Sequence, residues 1–231
     1  MINNKDESEI YKQKWRYMNY LDIRLSRLPA WIMSKEIGIF NYSNVPDYCV
    51  EPVKQGLFEL IHELNMDFKV KNSYVDNSVE TAVNNLRCGG NLFESISYSA
   101  DEVYMNKNRT SNFHASVIII DQKAPYNNYD WGFGAFGSGI IYMYLPKERQ
   151  SARDFIKKIA KHEAVHLLGL GEHHGDAING SKKLAKAYNV THSCVFNYYP
   201  DTLKLCNMCE DALIYNWKKI EEQIGIKFLK K

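Results

Sequence analysis

The sequence predicts an α/β fold of the α+β kind, with buried strands and amphipathic helices laid against them. Three observations predict it. Val117-Ile118-Ile119-Ile120 is an unbroken run of β-branched apolar residues, the pattern of a strand buried on both faces. Apolar residues recur at helical spacing over 53–65, 151–168 and 210–224. Between the first two of these helices, 131–145 carries four glycines and then a second apolar strand pattern.

Taken in order, 5–28 places Tyr11, Trp15, Met18, Leu21, Leu25 and Leu28 on one helical face and ends before Pro29. This helix is expected to pack on the body, making 1–50 an N-terminal extension. The stretch 46–52, with a proline at each end, reads as a connector. Val53, Leu57, Leu60, Ile61 and Leu64 then mark a helix, followed by a short strand at 68–70. His62 lies on that helix without a matching ligand and reads as a surface or core histidine. From 72 to 113 the chain turns polar and rich in Gly, Asn and Ser, with a helical pattern at 78–86. In 131–145 the glycine density points to bulges and a close approach of backbones.

Next comes the helix 151–168, where Ser151 with Asp154 resembles a capping box and neither Pro nor Gly interrupts 152–168. Phe155, Ile159, His162 and His166 share a stripe, and Ile156, Ala160 and Leu167 form an adjoining apolar one. Lys157, Lys158 and Lys161 fall behind, as a solvated back. Beyond it, 182–188 reads as a short helix or loop. Leu213, Ile214, Trp217, Ile220 and Ile224 mark the last helix, the packing helix of a lower lobe over 172–231, with 51–171 as the upper lobe.

The chain has 231 residues, 45% hydrophobic and 24% charged, enough for one large domain or two small lobes with a core. A net charge of +2 argues against nucleic acid and acidic membranes as partners. The N-terminus lacks an apolar signal core and no apolar run reaches membrane-spanning length, so a cytoplasmic location is expected. Five cysteines, three of them late, read as thiols or metal ligands rather than as a disulfide framework.

The chemistry is concentrated in His162-Glu163-x-x-His166. Four residues apart on a helix, the two histidines offer imidazole nitrogens to one metal ion, and Glu163 stands beside it as a general base must. Gly169 follows at a helix stop, and Gly169-x-Gly171 lets the chain turn under the metal towards His173 and His174.

The stretch resembles the metzincin zinc peptidases, whose pattern is H-E-x-x-H-x-x-G-x-x-H with a later Met-turn, and the resemblance implies a mixed twisted sheet, an active-site helix and a small C-terminal lobe that is mostly irregular and helical. Position 172, where the third histidine belongs, is Glu172. Either the loop is one residue longer and His173 is the third ligand, which is the preferred reading, or Glu172 ligates through its carboxylate. In metzincins the strand before the active-site helix is an edge strand over the cleft that pairs with an extended substrate. Gly139, Ile140, Ile141 and Tyr142 stand in the matching place; an ordinary sheet edge is the other reading of that segment.

Cys194-Val195-Phe196-Asn197 resembles the C-V-M-N of the archaemetzincins, with Phe196 in the Met position, and Cys206-Asn207-Met208-Cys209 matches that family's C-x-x-C. Carried across, the pattern implies a second, structural zinc held by Cys194, Cys206, Cys209 and His174, with His192 a rival for the fourth place. Tyr198 stands where several metzincins carry a tyrosine that donates to the oxyanion. Arg87-Cys88-Gly89 resembles a cysteine switch, but a plain thiol is the better reading of Cys88.

The resemblance implies a zinc-dependent peptidase acting on peptide or protein substrates: zinc on His162, His166 and His173 acidifies a water, and Glu163 takes its proton. The alternative is a catalytically degenerate, zinc-stabilised binding protein of the same fold, which Glu172 and Phe196 favour.

Overall fold

The computed structural model describes residues 4–18, 31–41, 45–72, 115–121, 132–135, 139–171, 173–190, 193–197 and 200–230. Among them the chain forms five strands: β1 (Glu36–Asn41), β2 (Lys69–Asn72), β3 (Ala115–Ile120), β4 (Gly132–Ala135) and β5 (Ile140–Tyr144). They make one mixed sheet in the order β2-β1-β3-β5-β4. The first four are parallel, and β4 runs antiparallel to β5 along the edge.

All six residues of β3 are buried, as its β-branched run predicts, and Val117 pairs with Ile39 on one side and Ile141 on the other. The sequence reading passes over β1. Its signal is the short apolar run Ile37-Gly38-Ile39-Phe40, which has the length and content of a buried strand. The strand spanning 139–144 is an interior strand between β3 and β4, so its expected place at the edge is corrected: the edge belongs to β4. Both neighbours of β5 hydrogen-bond to it, and no main-chain edge is left there for a substrate.

Among the described residues there are seven α-helices: α1 (Asn4–Met18), α2 (Trp31–Ser34), α3 (Asp47–Glu63), α4 (Arg153–Leu167), α5 (His174–Gly180), α6 (Lys182–Tyr188) and α7 (Asn207–Ile224). Helices α3 and α4 pack on each other against the sheet, and Val53, Leu57, Leu60, Ile156 and Ala160 join Ile39, Val117, Ile119, Ile141 and Met143 in one core. Where the helices touch, Gly56 leaves no room for a side chain: a Cβ there would lie 2.6 Å from the carbonyl oxygen of Lys157. Helix α3 begins at Asp47 after Pro46 and takes in Pro52, so 47–52 is helix rather than connector. Pro46 supplies the extended backbone that precedes a helix, and burial of the Pro52 ring offsets the one hydrogen bond it forfeits.

Helix α1 packs on α6 and α7. Its Trp15 is buried and donates from Nε1 to the carbonyl of Met208 at 2.9 Å. Arg16 grips Asp211 through Nε at 2.7 Å and Nη2 at 3.0 Å. The continuation expected over 19–28 lies outside the described residues, as does the helix expected at 78–86. Residues 1–50 are therefore not one extension: α1 belongs with the C-terminal helices, β1 lies inside the sheet, and α3 starts at Asp47. The chain end returns to the upper body, where Met66 bridges Leu229 and Lys230 donates to the carbonyl of Asn65 at 2.8 Å. Rings of Trp31, Phe68, Trp217 and Phe228 cluster there, Phe68 stacked on Phe228 and the other pairs edge-on or tilted. Among the described residues no helix is long and apolar enough to cross a membrane.

Candidate metal centres

Helix α4 carries the first centre. Its N-cap is Ala152, with no side-chain bond, so the capping box of Ser151 and Asp154 does not form: the helix starts one residue too late for Ser151 to serve. Nor is its back solvated. Lys157 pairs with Glu59, and Lys161, fully buried, reaches Glu63 Oε1 at 2.6 Å. Helix α3 covers Lys157 and Lys161, and its acidic residues neutralise both charges, while Lys158 donates to the carbonyl of Asp201 at 3.2 Å.

The other end stops as expected. Gly169 takes φ +114°, a conformation costly for any residue with a Cβ. Its N–H donates to His166 O at 3.0 Å and that of Leu170 to Val165 O at 3.2 Å, the paired bonds of a Schellman motif. Trp217 of α7 adds a bond from Nε1 to Leu168 O at 3.1 Å. Gly171 has open space where a Cβ would stand, so the turn rests on Gly169.

This reversal brings His173 back over α4. His173 Nε2 lies 3.2 Å from His162 Nε2 and 3.3 Å from His166 Nε2. The other nitrogens explain why. His162 Nδ1 donates to Val195 O at 3.1 Å and His166 Nδ1 to Leu170 O at 2.8 Å; a carbonyl only accepts, so both Nδ1 atoms carry the proton. Both Nε2 atoms then present lone pairs, and a single proton on His173 cannot serve both. A cation serves all three. In a tetrahedral zinc site with Zn–N of about 2.0–2.1 Å, ligand nitrogens stand about 3.3–3.4 Å apart, which is the spacing seen.

Burial first, and then the neighbouring imidazoles, hold His162 down to about 4 and His166 to about 3, and burial lowers His173 as well. The three rings are thus kept in the neutral form that ligates a metal. Phe196, fully buried, forms the floor, its ring centroid 5.3, 4.7 and 5.3 Å from those of His162, His166 and His173.

The second centre is buried beside the first. His174 Nδ1 and the sulfurs of Cys194, Cys206 and Cys209 lie within 4.8 Å of one another. Cys206 Sγ is 3.2 Å and Cys209 Sγ 3.8 Å from His174 Nδ1, and Cys194 Sγ is 3.9 Å from Cys209 Sγ. With Zn–S of about 2.3 Å, a tetrahedral ion sets its sulfurs about 3.8 Å apart. Backbone N–H groups of Phe196 and Cys206 donate to Cys194 Sγ, both at 3.4 Å. Three thiols in contact cannot all ionise unaided. Hydrogen bonds from Cys206 and Cys209 draw Cys194 down, and the same sharing pushes Cys206 and Cys209 up. A cation removes that conflict, because it favours the thiolate at all three. Both clusters could hold a metal ion.

Glu163 is buried and lies against β4. A Cβ at Gly132 would stand 2.6 Å from Glu163 Cγ and 2.8 Å from its Oε1; at Gly134 it would stand 2.2 Å from Glu163 O. The predicted close approach of backbones is therefore an approach of the edge strand to α4. Of the segment read as substrate-binding, Gly139, Ile141 and Tyr142 are buried and Ile140 opens the interior strand β5. Glu172, His192, Tyr198 and Cys88 lie outside the described residues. Sequence reasoning misses the carbonyls of Val195 and Leu170, which bear no residue-type signature, and the pairing of Gly132 with Glu163, for which the G-x-G spacing is the available signal.

No protein-family model, no curated protein and no solved structure matches this chain.

Proposed function

We propose that the chain is a zinc-dependent peptidase of metzincin type, similar to the archaemetzincins, with catalytic zinc on His162, His166 and His173 and structural zinc on His174, Cys194, Cys206 and Cys209. The observation that carries this reading is the convergence of three histidine Nε2 atoms at ligand spacing, with the buried Glu163 next to His162 in the chain. Zinc, when bound, supplies Lewis acidity, which makes water acidic near neutral pH and polarises a carbonyl.

The chain's own residues do the rest. Val195 O and Leu170 O fix the tautomers of His162 and His166, and so aim their Nε2 atoms. Glu163 follows His162 directly in sequence. Its carboxylate takes the proton of the attacking water and hands it to the leaving amine. The edge strand β4, leaning on Glu163 through Gly132 and Gly134, accepts an extended peptide as a further strand through its main chain. Tyr198 is proposed as a donor to the oxyanion.

The test is Glu163→Gln, which fits the same space and leaves the ligand histidines untouched. We expect unchanged metal content and fold, and peptide cleavage slowed roughly 100- to 10,000-fold, the usual contribution of a positioned acid-base group. A peptide library read by mass spectrometry measures it. Equal cleavage by both proteins places the activity elsewhere. No cleavage by either, with metal loaded, favours the degenerate binding protein.

A further inference from the structure

The two clusters are not independent, because single peptide units join them at two places. His173 and His174 are consecutive, and each belongs to a different cluster. Cys194 and Val195 are also consecutive: one contributes its sulfur to the thiolate cluster, while the other holds His162 Nδ1 through its carbonyl at 3.1 Å. The turn 194–197 closes with Asn197 N donating to Cys194 O at 3.3 Å, and its Phe196 places a ring under all three histidines. Phe196 O, in turn, accepts from the backbone N of His174 at 3.0 Å. Val195, which aims His162, and His173 itself are thus each one residue from a ligand of the thiolate cluster.

We propose that the thiolate cluster is the organising partner of a coupled pair: its metal locks Cys194 and His174, and through them orients His162 and positions His173, so the three-histidine site reaches full affinity only when the thiolate site is filled. The inference rests on the reading that both clusters take metal ions. Its physical basis is that the weak hydrogen bonds among three sulfurs and a ring nitrogen within 4.8 Å hold them less firmly than one cation bonded to all four. Without that cation the turn and the start of α5 lose their firm shared anchor. By linkage the coupling is reciprocal, so metal in the three-histidine site also tightens the thiolate site.

The probe is cadmium, which thiolates prefer, added to the metal-free protein and followed by NMR. With the first equivalent we expect a thiolate-type cadmium resonance together with a His162 Nδ1 proton newly protected from exchange, before the three-histidine site fills. A His162 proton already protected in the metal-free chain, or protected only by the second equivalent, overturns the coupling while leaving both metal sites in place. Absence of any thiolate-type resonance removes the thiolate centre itself, and with it that part of the functional reading.

A second measurement uses Cys206→Ser, whose residue belongs to the thiolate cluster alone. Its three-histidine site should bind cobalt roughly 5- to 150-fold more weakly, the range of ordinary site-site coupling. Arg16→Ala loosens the same lobe at Asp211 without touching a cysteine, and should leave cobalt affinity unchanged. An unchanged affinity in Cys206→Ser, or an equal loss in Arg16→Ala, overturns the proposal.

Discussion

Gly132 and Gly134 both lie where β4 meets α4, yet what a side chain would strike differs. At Gly134 it is the carbonyl oxygen of Glu163, part of the α4 backbone; at Gly132 it is the Glu163 side chain. Gly134→Ala should therefore destabilise the fold by about 1–3 kcal/mol, the common cost of overpacking, read as a lower urea midpoint. Gly132→Ala should keep its midpoint, because a side chain can swing away, but it should lower kcat for peptide cleavage more than it raises KM. At this scale the residues of the three-histidine cluster were largely legible. His162 and His166 announce themselves by spacing, and His173 by following the glycine turn. The carbonyl groups that aim the rings were not legible, since any residue type at positions 170 and 195 supplies one.

Helices α3 and α4 meet over an ion pair whose members are unequally buried. Lys161 is wholly enclosed, while the Glu63 side chain is 41% exposed. Removing the acid strands a buried cation; removing the lysine leaves a carboxylate that water can reach. Glu63→Gln should thus cost about 1–3 kcal/mol, and Lys161→Met clearly less, in parallel urea unfolding curves. The lysine spacing on α4 looked like a solvated face because a charge pattern does not distinguish water from an opposing row of carboxylates. Strand order was hidden for a related reason. The apolar residues of β5 say that it is buried, but its neighbours are set by pairing with β3 and β4, which no local pattern encodes. Pro52 misled in the same way, since its penalty is local and its compensation tertiary.

The whole molecule joins chain ends that composition suggested were separate. Trp15 to Met208 and Asn65 to Lys230 are contacts across most of the sequence, which is why boundaries drawn from linker-like stretches cut through α3 and set β1 outside its sheet. Stability of the metal-free chain should vary with pH through the histidines. Above the ordinary imidazole value of 6.5, folded and unfolded chains are both neutral there. As pH falls below 6.5 the unfolded chain takes up protons that the buried His162 and His166 refuse, so stability declines until about 4 for His162 and about 3 for His166, then levels off. Urea midpoints of the chelator-treated protein across that range measure it; a midpoint that rose on acidification would contradict the burial of the rings.

The ring of Phe196 beneath the histidines has a consequence for oxidative damage. A methionine in that place would be open to conversion to its sulfoxide, setting a polar oxygen under three imidazoles. A phenyl ring offers peroxide no such reaction, and with two side-chain torsions against three it also has fewer ways to move. Under mild oxidant the floor of the three-histidine site should persist unaltered, leaving the sulfurs of Cys194, Cys206 and Cys209 as the reactive atoms next to it.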